Sequence, residues 1–148
     1  MIKRVFAAVA TAGLTLLAGA GSADAATNPY TAQQACGSSY YLQHSMPVTT
    51  ASGATYGRVY LMYSNTTKKN CAVTLKSAYV GASTLTEVYI ESKNGAVDGE
   101  FDHTHLYYAN AYVYSPNDCV RYQGFIWSGA TTSSTLAASA LSGWHGCG

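Results

Sequence analysis

The sequence predicts an all-β protein, mainly an antiparallel sandwich or barrel, with one short N-terminal helix and two disulfides. Three observations lead there. Short runs of alternating residues recur after residue 38 at intervals of about ten, each bounded by turn residues, which is the period-2 pattern of half-buried strands. Thirteen tyrosines, with many Thr, Ser and Val, suit a pleated, half-wet surface. Only one stretch carries helix punctuation, so a helical layer has nothing to be built from.

In chain order, Lys3 and Arg4 precede an almost wholly apolar, small-residue run, and Ala23-Asp24-Ala25 places small residues where a signal peptidase reads. This is a secretory signal peptide over residues 1–25, leaving residues 26–148 as a single secreted β domain. The apolar run is rich in Ala and Gly and, at about 17 residues, sits at the lower limit for spanning a bilayer. No integral membrane segment is expected after cleavage.

Asn28-Pro29-Tyr30-Thr31 opens the helix, with Asn28 as N-cap and Pro29 at the first helical position, and Gly37 closes it. A first strand over 39–44 ends near Pro47. Residues 55–79 then read as a hairpin around the polar turn 65–70. Val59, Leu61 and Tyr63 share one face, Val73, Leu75 and Tyr79 share the face of Cys71, and Arg58, Thr74 and Lys76 take the other side. Residues 84–92 alternate with Val88 and Ile90 against Glu87 and Glu91, and Lys93-Asn94-Gly95 supplies a tight turn into a return strand over 97–102. Further strands fall within 106–114 and 119–127, split by the turn 115–118. The Gly-, Ala-, Thr- and Ser-rich tail over 128–142 reads as a final strand or a loop.

After the signal peptide the charges are Arg58, Lys68, Lys69, Lys76, Lys93 and Arg121 against Glu87, Glu91, Asp98, Glu100, Asp102 and Asp118. So balanced a set gives no footprint for nucleic acid or an anionic membrane. Four cysteines in an exported chain imply two disulfides, for which sequence allows three pairings. The favoured one joins Cys36 to Cys71 and Cys119 to Cys147, because each bond then staples a chain end to a core strand. Each closure contributes about 3.5 kcal/mol in the chain-entropy model.

Candidate chemistry is sparse. His103 and His105 on a strand would share a face and offer two imidazoles to zinc or copper. A third ligand, Glu100, His44 or His145, would still have to reach them, so these are weak metal candidates and no cofactor is expected. The acids 87, 91, 98, 100 and 102 flank one hairpin, which allows a carboxylate pair of the glycosidase kind, but no apolar pocket flanks them to raise one pKa. No G-x-S-x-G is present. The strongest binding signal is aromatic: Tyr107, Tyr108, Tyr112, Tyr114, Tyr122, Trp127 and Trp144 crowd the second half, with Tyr112, Tyr114, Tyr122 and Trp127 as the candidate binding face, since rings along one sheet face stack on sugars or lie against proteins.

Several of these residues also carry a likeness: Asn28-Pro29-Tyr30-Thr31 leading to Cys36-Gly37, the hairpin from Val59 to Cys71, Cys119-Val120-Arg121-Tyr122-Gln123-Gly124, and Cys147-Gly148. With them the chain resembles the spore-associated protein A family of streptomycetes and related actinomycetes over nearly all of residues 26–148. The resemblance implies a small secreted protein found with spores or aerial growth, with no settled activity. Two departures stand out, an insertion over 102–106 carrying the two histidines and a longer segment over 128–142. The expected function is a secreted, non-enzymatic structural or adhesion protein of the spore or cell envelope. Its partners would be spore or cell-wall components, polysaccharide or other surface proteins. The rivals are a carbohydrate-binding module using exposed Tyr and Trp, a small hydrolase, and a protease inhibitor presenting the 128–142 segment as its loop.

Overall fold

The computed structural model describes residues 26–147; the signal peptide read in residues 1–25 lies outside them. One helix, α1 (Ala32–Cys36), precedes nine strands: β1 (Tyr41–Thr50), β2 (Thr55–Ser64), β3 (Lys69–Lys76), β4 (Thr84–Ser92), β5 (Val97–Glu100), β6 (Thr104–His105), β7 (Tyr108–Tyr114), β8 (Val120–Trp127) and β9 (Leu136–Ala138). The strands pair in the order β5-β4-β8-β9-β1-β2-β3-β7, with β6 added to β4. Every pairing is antiparallel.

The two ends of this path, β5 and β7, meet and nearly close the sheet into a barrel. Side chains rather than backbone make the seam. Asp98 Oδ2 accepts the Tyr112 N–H at 2.8 Å, and Glu100 Oε2 accepts the Asn110 N–H at 3.3 Å. Two carboxylates thus satisfy donors that an open edge would leave free. Inside, Val48, Val59, Leu61, Val88, Ile90 and Tyr122 pack without exposure. The packing is tight enough to require glycine at two points. A Cβ on Gly124 would stand 2.6 Å from Thr74 Oγ1, and one on Gly57 would stand 2.3 Å from the Leu75 carbonyl oxygen.

Several expectations need correction. The helix N-cap is Thr31, not Asn28: Thr31 Oγ1 accepts from Gln34 N and Gln34 Oε1 accepts from Thr31 N, a reciprocal box that starts the helix one turn later. Asn28 instead donates to the carbonyls of Lys76 and Tyr107, at 3.0 and 2.9 Å, pinning the N-terminal segment to β3 and the start of β7. The first strand does not stop at Pro47. Pro47 is tolerated because β9 pairs only with Thr49 and Thr50, so β1 is bonded on one side there. The 128–142 segment supplies β9, a short strand that bridges β8 and β1.

The largest correction concerns β3. Val59 and Leu61 of β2 face inward as expected, but on β3 the inward row is Ala72, Thr74 and Lys76, while Cys71 and Val73 face outward. The reason is α1, which lies on the outer face and needs an apolar floor. Cys71, Val73, Met62 and Tyr40 provide it against Ala35 and Cys36. Both faces of β3 are therefore buried, and alternation alone cannot say which is the interior. The Cys36–Cys71 disulfide fastens the helix to this floor, and Cys119–Cys147 fastens the tail to the start of β8.

Candidate functional site

The four aromatic residues expected to form a binding face are not brought onto one face. Tyr122 points into the barrel, fully buried, and its hydroxyl shares a 2.6 Å hydrogen bond with His44 Nδ1. Burial pushes its ionisation well above the usual tyrosine range. Tyr112 points outward but is half-covered by α1, its hydroxyl donating to the Cys36 carbonyl at 3.1 Å. Trp127 is buried, with its ring 6.1 Å from Phe125. Of the four, Tyr114 is exposed.

A different aromatic group assembles where the N-terminal segment crosses β7. The Tyr30 ring lies 5.3 Å from the rings of both Tyr107 and Tyr108, tilted on one and edge-on to the other. These three line an open cleft of about 450 Å³ together with Glu100, His105 and Leu106. Residues 102–106 build this cleft by adding β6 to the start of β4. Glu87, which alternation sets opposite Val88 and Ile90, is nonetheless buried, and its Oε1 accepts the Asp102 N–H at 3.0 Å.

His105 Nε2 comes within 3.2 Å of Glu100 Oε1 without making a directed hydrogen bond. Burial holds the His105 pKa below the usual histidine value; Glu100 opposes that shift, and His103 and Lys76 add to it. Behind it, the inward-facing Lys76 donates to the carbonyls of Ala82 and His105 and to Thr84 Oγ1, at 2.8, 3.0 and 2.8 Å. Burial pulls that lysine down to about 8.

His103 is exposed, and the third ligand the pair would need is not supplied. Among the described residues no group of three or more His, Cys, Asp or Glu is placed to hold a metal ion. His44 and His145 stack on each other instead, with ring centroids 4.0 Å apart and Tyr122 beside them. That group lies far from His105: along β4, His105 pairs with Thr84 and Tyr122 with Ile90, six residues or about 20 Å apart. Burial, with His44 beside it, holds His145 below the usual histidine value. The sequence offered no sign of this trio, because residues 44, 122 and 145 come together only through barrel closure.

Glu91 and Asp118 are also engaged, whereas the Asp102 carboxylate is exposed. Glu91 bonds Arg121 and Tyr89, and the Tyr89 hydroxyl, followed by Arg121, holds its pKa below the usual carboxylate value. Arg121 in turn lies over Trp144, 4.9 Å from the ring centre. Asp118 accepts the backbone N–H groups of Asn94 and Cys119, each at 2.8 Å.

The chain is 35% identical over 141 residues to spore-associated protein A of Streptomyces coelicolor, covering 90% of this chain and 88% of that protein. It belongs to the spore-associated protein A family. No family model matches the chain, and no solved structure matches it. For this family member the cysteine framework is thus Cys36–Cys71 and Cys119–Cys147, the pairing that the staple argument favours.

Proposed function

We propose that this member of the spore-associated protein A family is an exported, non-enzymatic structural or adhesion component of the spore or cell envelope. The observation that carries this reading is the use to which the chain puts its carboxylates. Five of the six side-chain carboxylates among the described residues, Glu87, Glu91, Asp98, Glu100 and Asp118, hold backbone amides or a neighbouring side chain, and the sixth, Asp102, stands exposed. A general acid or base must instead be free to meet a substrate proton. What the surface leaves uncommitted is aromatic and polar: the Tyr30–Tyr107–Tyr108 cleft, and the exposed rings of Tyr41, Tyr79 and Tyr114. Rings of this kind adhere to polymers and to other proteins through an apolar body and a polar tip.

The likeness to a protein named for its association with spores supports the same location. Two disulfides across separations of 35 and 28 residues suit persistence outside the cell. The test is fractionation of a sporulating culture with an antibody against the protein. Recovery in the washed spore and cell-wall fractions is expected. Recovery only in the culture fluid, or only inside the cells, overturns the proposal.

A further inference from the structure

At the end of β3 away from Lys76, the β2–β3 turn, the β7–β8 turn and the disulfide-held tail surround a second cleft, of about 290 Å³. Its lining includes Tyr41, Gln43, Tyr63, Lys68, Asn70 and Asn117. Asn70 is 2% exposed. Its Nδ2 donates to Ser115 Oγ at 2.7 Å, but its Oδ1 has no hydrogen-bond partner. That oxygen faces Gly146, where even a Cβ would stand 3.9 Å off, and Gly146 also lines the cleft. A buried amide oxygen left in this state is costly and calls for a donor.

The rest of the cleft is built toward the same opening. β1 carries a bulge here: Leu42 pairs with Met62 and His44 with Leu61, leaving Gln43 as the extra, exposed residue. Bulges re-aim side chains beside binding sites. Lys68 and Asn117 both adopt φ of +56°, a conformation that is uncommon for residues other than glycine. Tyr41, 44% exposed, stands edge-on to Tyr63 at 6.0 Å.

The chemistry selects the ligand class. No carboxylate lines the cleft, which argues against a metal cation. Lys68 is the single charge in the lining. The other polar groups are the amides of Gln43, Asn65, Asn70 and Asn117 and the hydroxyls of Ser115 and the tyrosines. Each amide offers a donor and an acceptor side by side, matching vicinal hydroxyls, and a tyrosine face packs on the C–H face of a pyranose. The volume, near the lower end of about 300 to 1,000 Å³ for ligand sites, suits one ring of a longer chain.

We propose that this cleft is a saccharide-binding site, in which Tyr41 packs on a sugar ring, Gln43 and Asn117 meet its hydroxyls, and a small shift of the Gly146 backbone beside the enclosed Asn70 Oδ1 lets a hydroxyl or acetamido N–H of the ring donate to that oxygen. The inference does not rest on envelope association, since binding of a soluble sugar is measurable wherever the protein resides.

The experiment titrates the purified protein with the trimers of N-acetylglucosamine and of glucose, followed by NMR of the side-chain amides and by calorimetry. Saturable binding of one trimer is expected, with the Asn70 amide signals shifting. Replacements Tyr41→Ala and Asn117→Ala should each weaken binding about tenfold. Asn117→Ala should also lower the melting temperature slightly because Ala is strained at φ +56°, and Asn117→Gly, which keeps that backbone, should weaken binding alike without this cost. Asn70→Ala should abolish binding, and Tyr30→Ala in the other cleft should leave it intact. Absence of binding by both trimers at millimolar concentration overturns the proposal. So does binding that Tyr41→Ala and Asn117→Ala do not touch, or that Tyr30→Ala removes.

Discussion

Asn70 and Lys76 sit at opposite ends of the same strand, both buried and polar, yet their surroundings differ. Lys76 has three acceptors for its three N–H donors. Asn70 has one partner for its amide group, and its oxygen is bare. A saturated polar group closes its end of the barrel as architecture, whereas a half-saturated one keeps its end ready for a donor from outside. A like division runs across the surface, where all the described carboxylates but Asp102 are tied into structure while the rings of Tyr41 and Tyr114 stand exposed.

The largest expected effects come from the disulfides. Replacing Cys119 and Cys147 together by Ala should cost about 3 to 4 kcal/mol in urea unfolding and also release the tail that walls the Asn70 cleft, so trimer binding falls with it. Replacing Cys36 and Cys71 should cost a similar amount but leave binding in place, because α1 lies outside the barrel wall. Equal loss of binding from both pairs would break the distinction.

Next comes the direct contrast between the two buried groups. Lys76→Met retains the methylene packing but strands three acceptors, and should destabilise by about 3 kcal/mol. Asn70→Ala strands one group, the buried Ser115 Oγ, but also removes an unpaired oxygen, so a smaller loss of about 1 kcal/mol is expected. Comparable losses would contradict the contrast.

The seam should yield smaller effects. Asp98→Ala and Glu100→Ala each free one β7 amide and should cost about 1 kcal/mol. Hydrogen exchange should quicken at Tyr112 in the first variant and at Asn110 in the second. Smallest is the pH dependence. His105 and His145 each have a folded pKa below the reference 6.5, so the unfolded chain binds more protons as pH falls below that value. The part of the stability that depends on these two histidines is therefore whole above about pH 6.5 and falls as pH drops through the folded pKa values. Glu91, with its pKa held below 4.5, adds a further loss in more acid solution. His105→Gln and His145→Gln should each flatten part of the slope, one at either end of the barrel.

Much of this architecture was legible in the residues. Alternation gave β2 and β4 their correct inward rows through Val59, Leu61, Val88 and Ile90, and the staple logic gave both disulfides. What misled was a pattern with two solutions. On β3 both faces are covered, by the core and by α1, so Cys71 and Val73 looked as interior as Ala72 and Thr74 are. Tyr112 and Tyr122 are alike as residues, but one lies outside the barrel and the other within it. Asn70 was hidden differently: among Asn, Thr and Lys it reads as turn composition, and only the strand pairing with Val113 makes it buried. The His44–Tyr122–His145 group and both clefts are products of closure, which no local pattern encodes.

The most direct test of the account is co-sedimentation of the purified protein with washed spores and with purified cell wall, each with and without the soluble trimers. The account predicts retention on at least one of these surfaces, with release by a trimer if the Asn70 cleft makes the attachment and no release if the Tyr30 cleft does. Protein that stays wholly in the supernatant with both surfaces would contradict it.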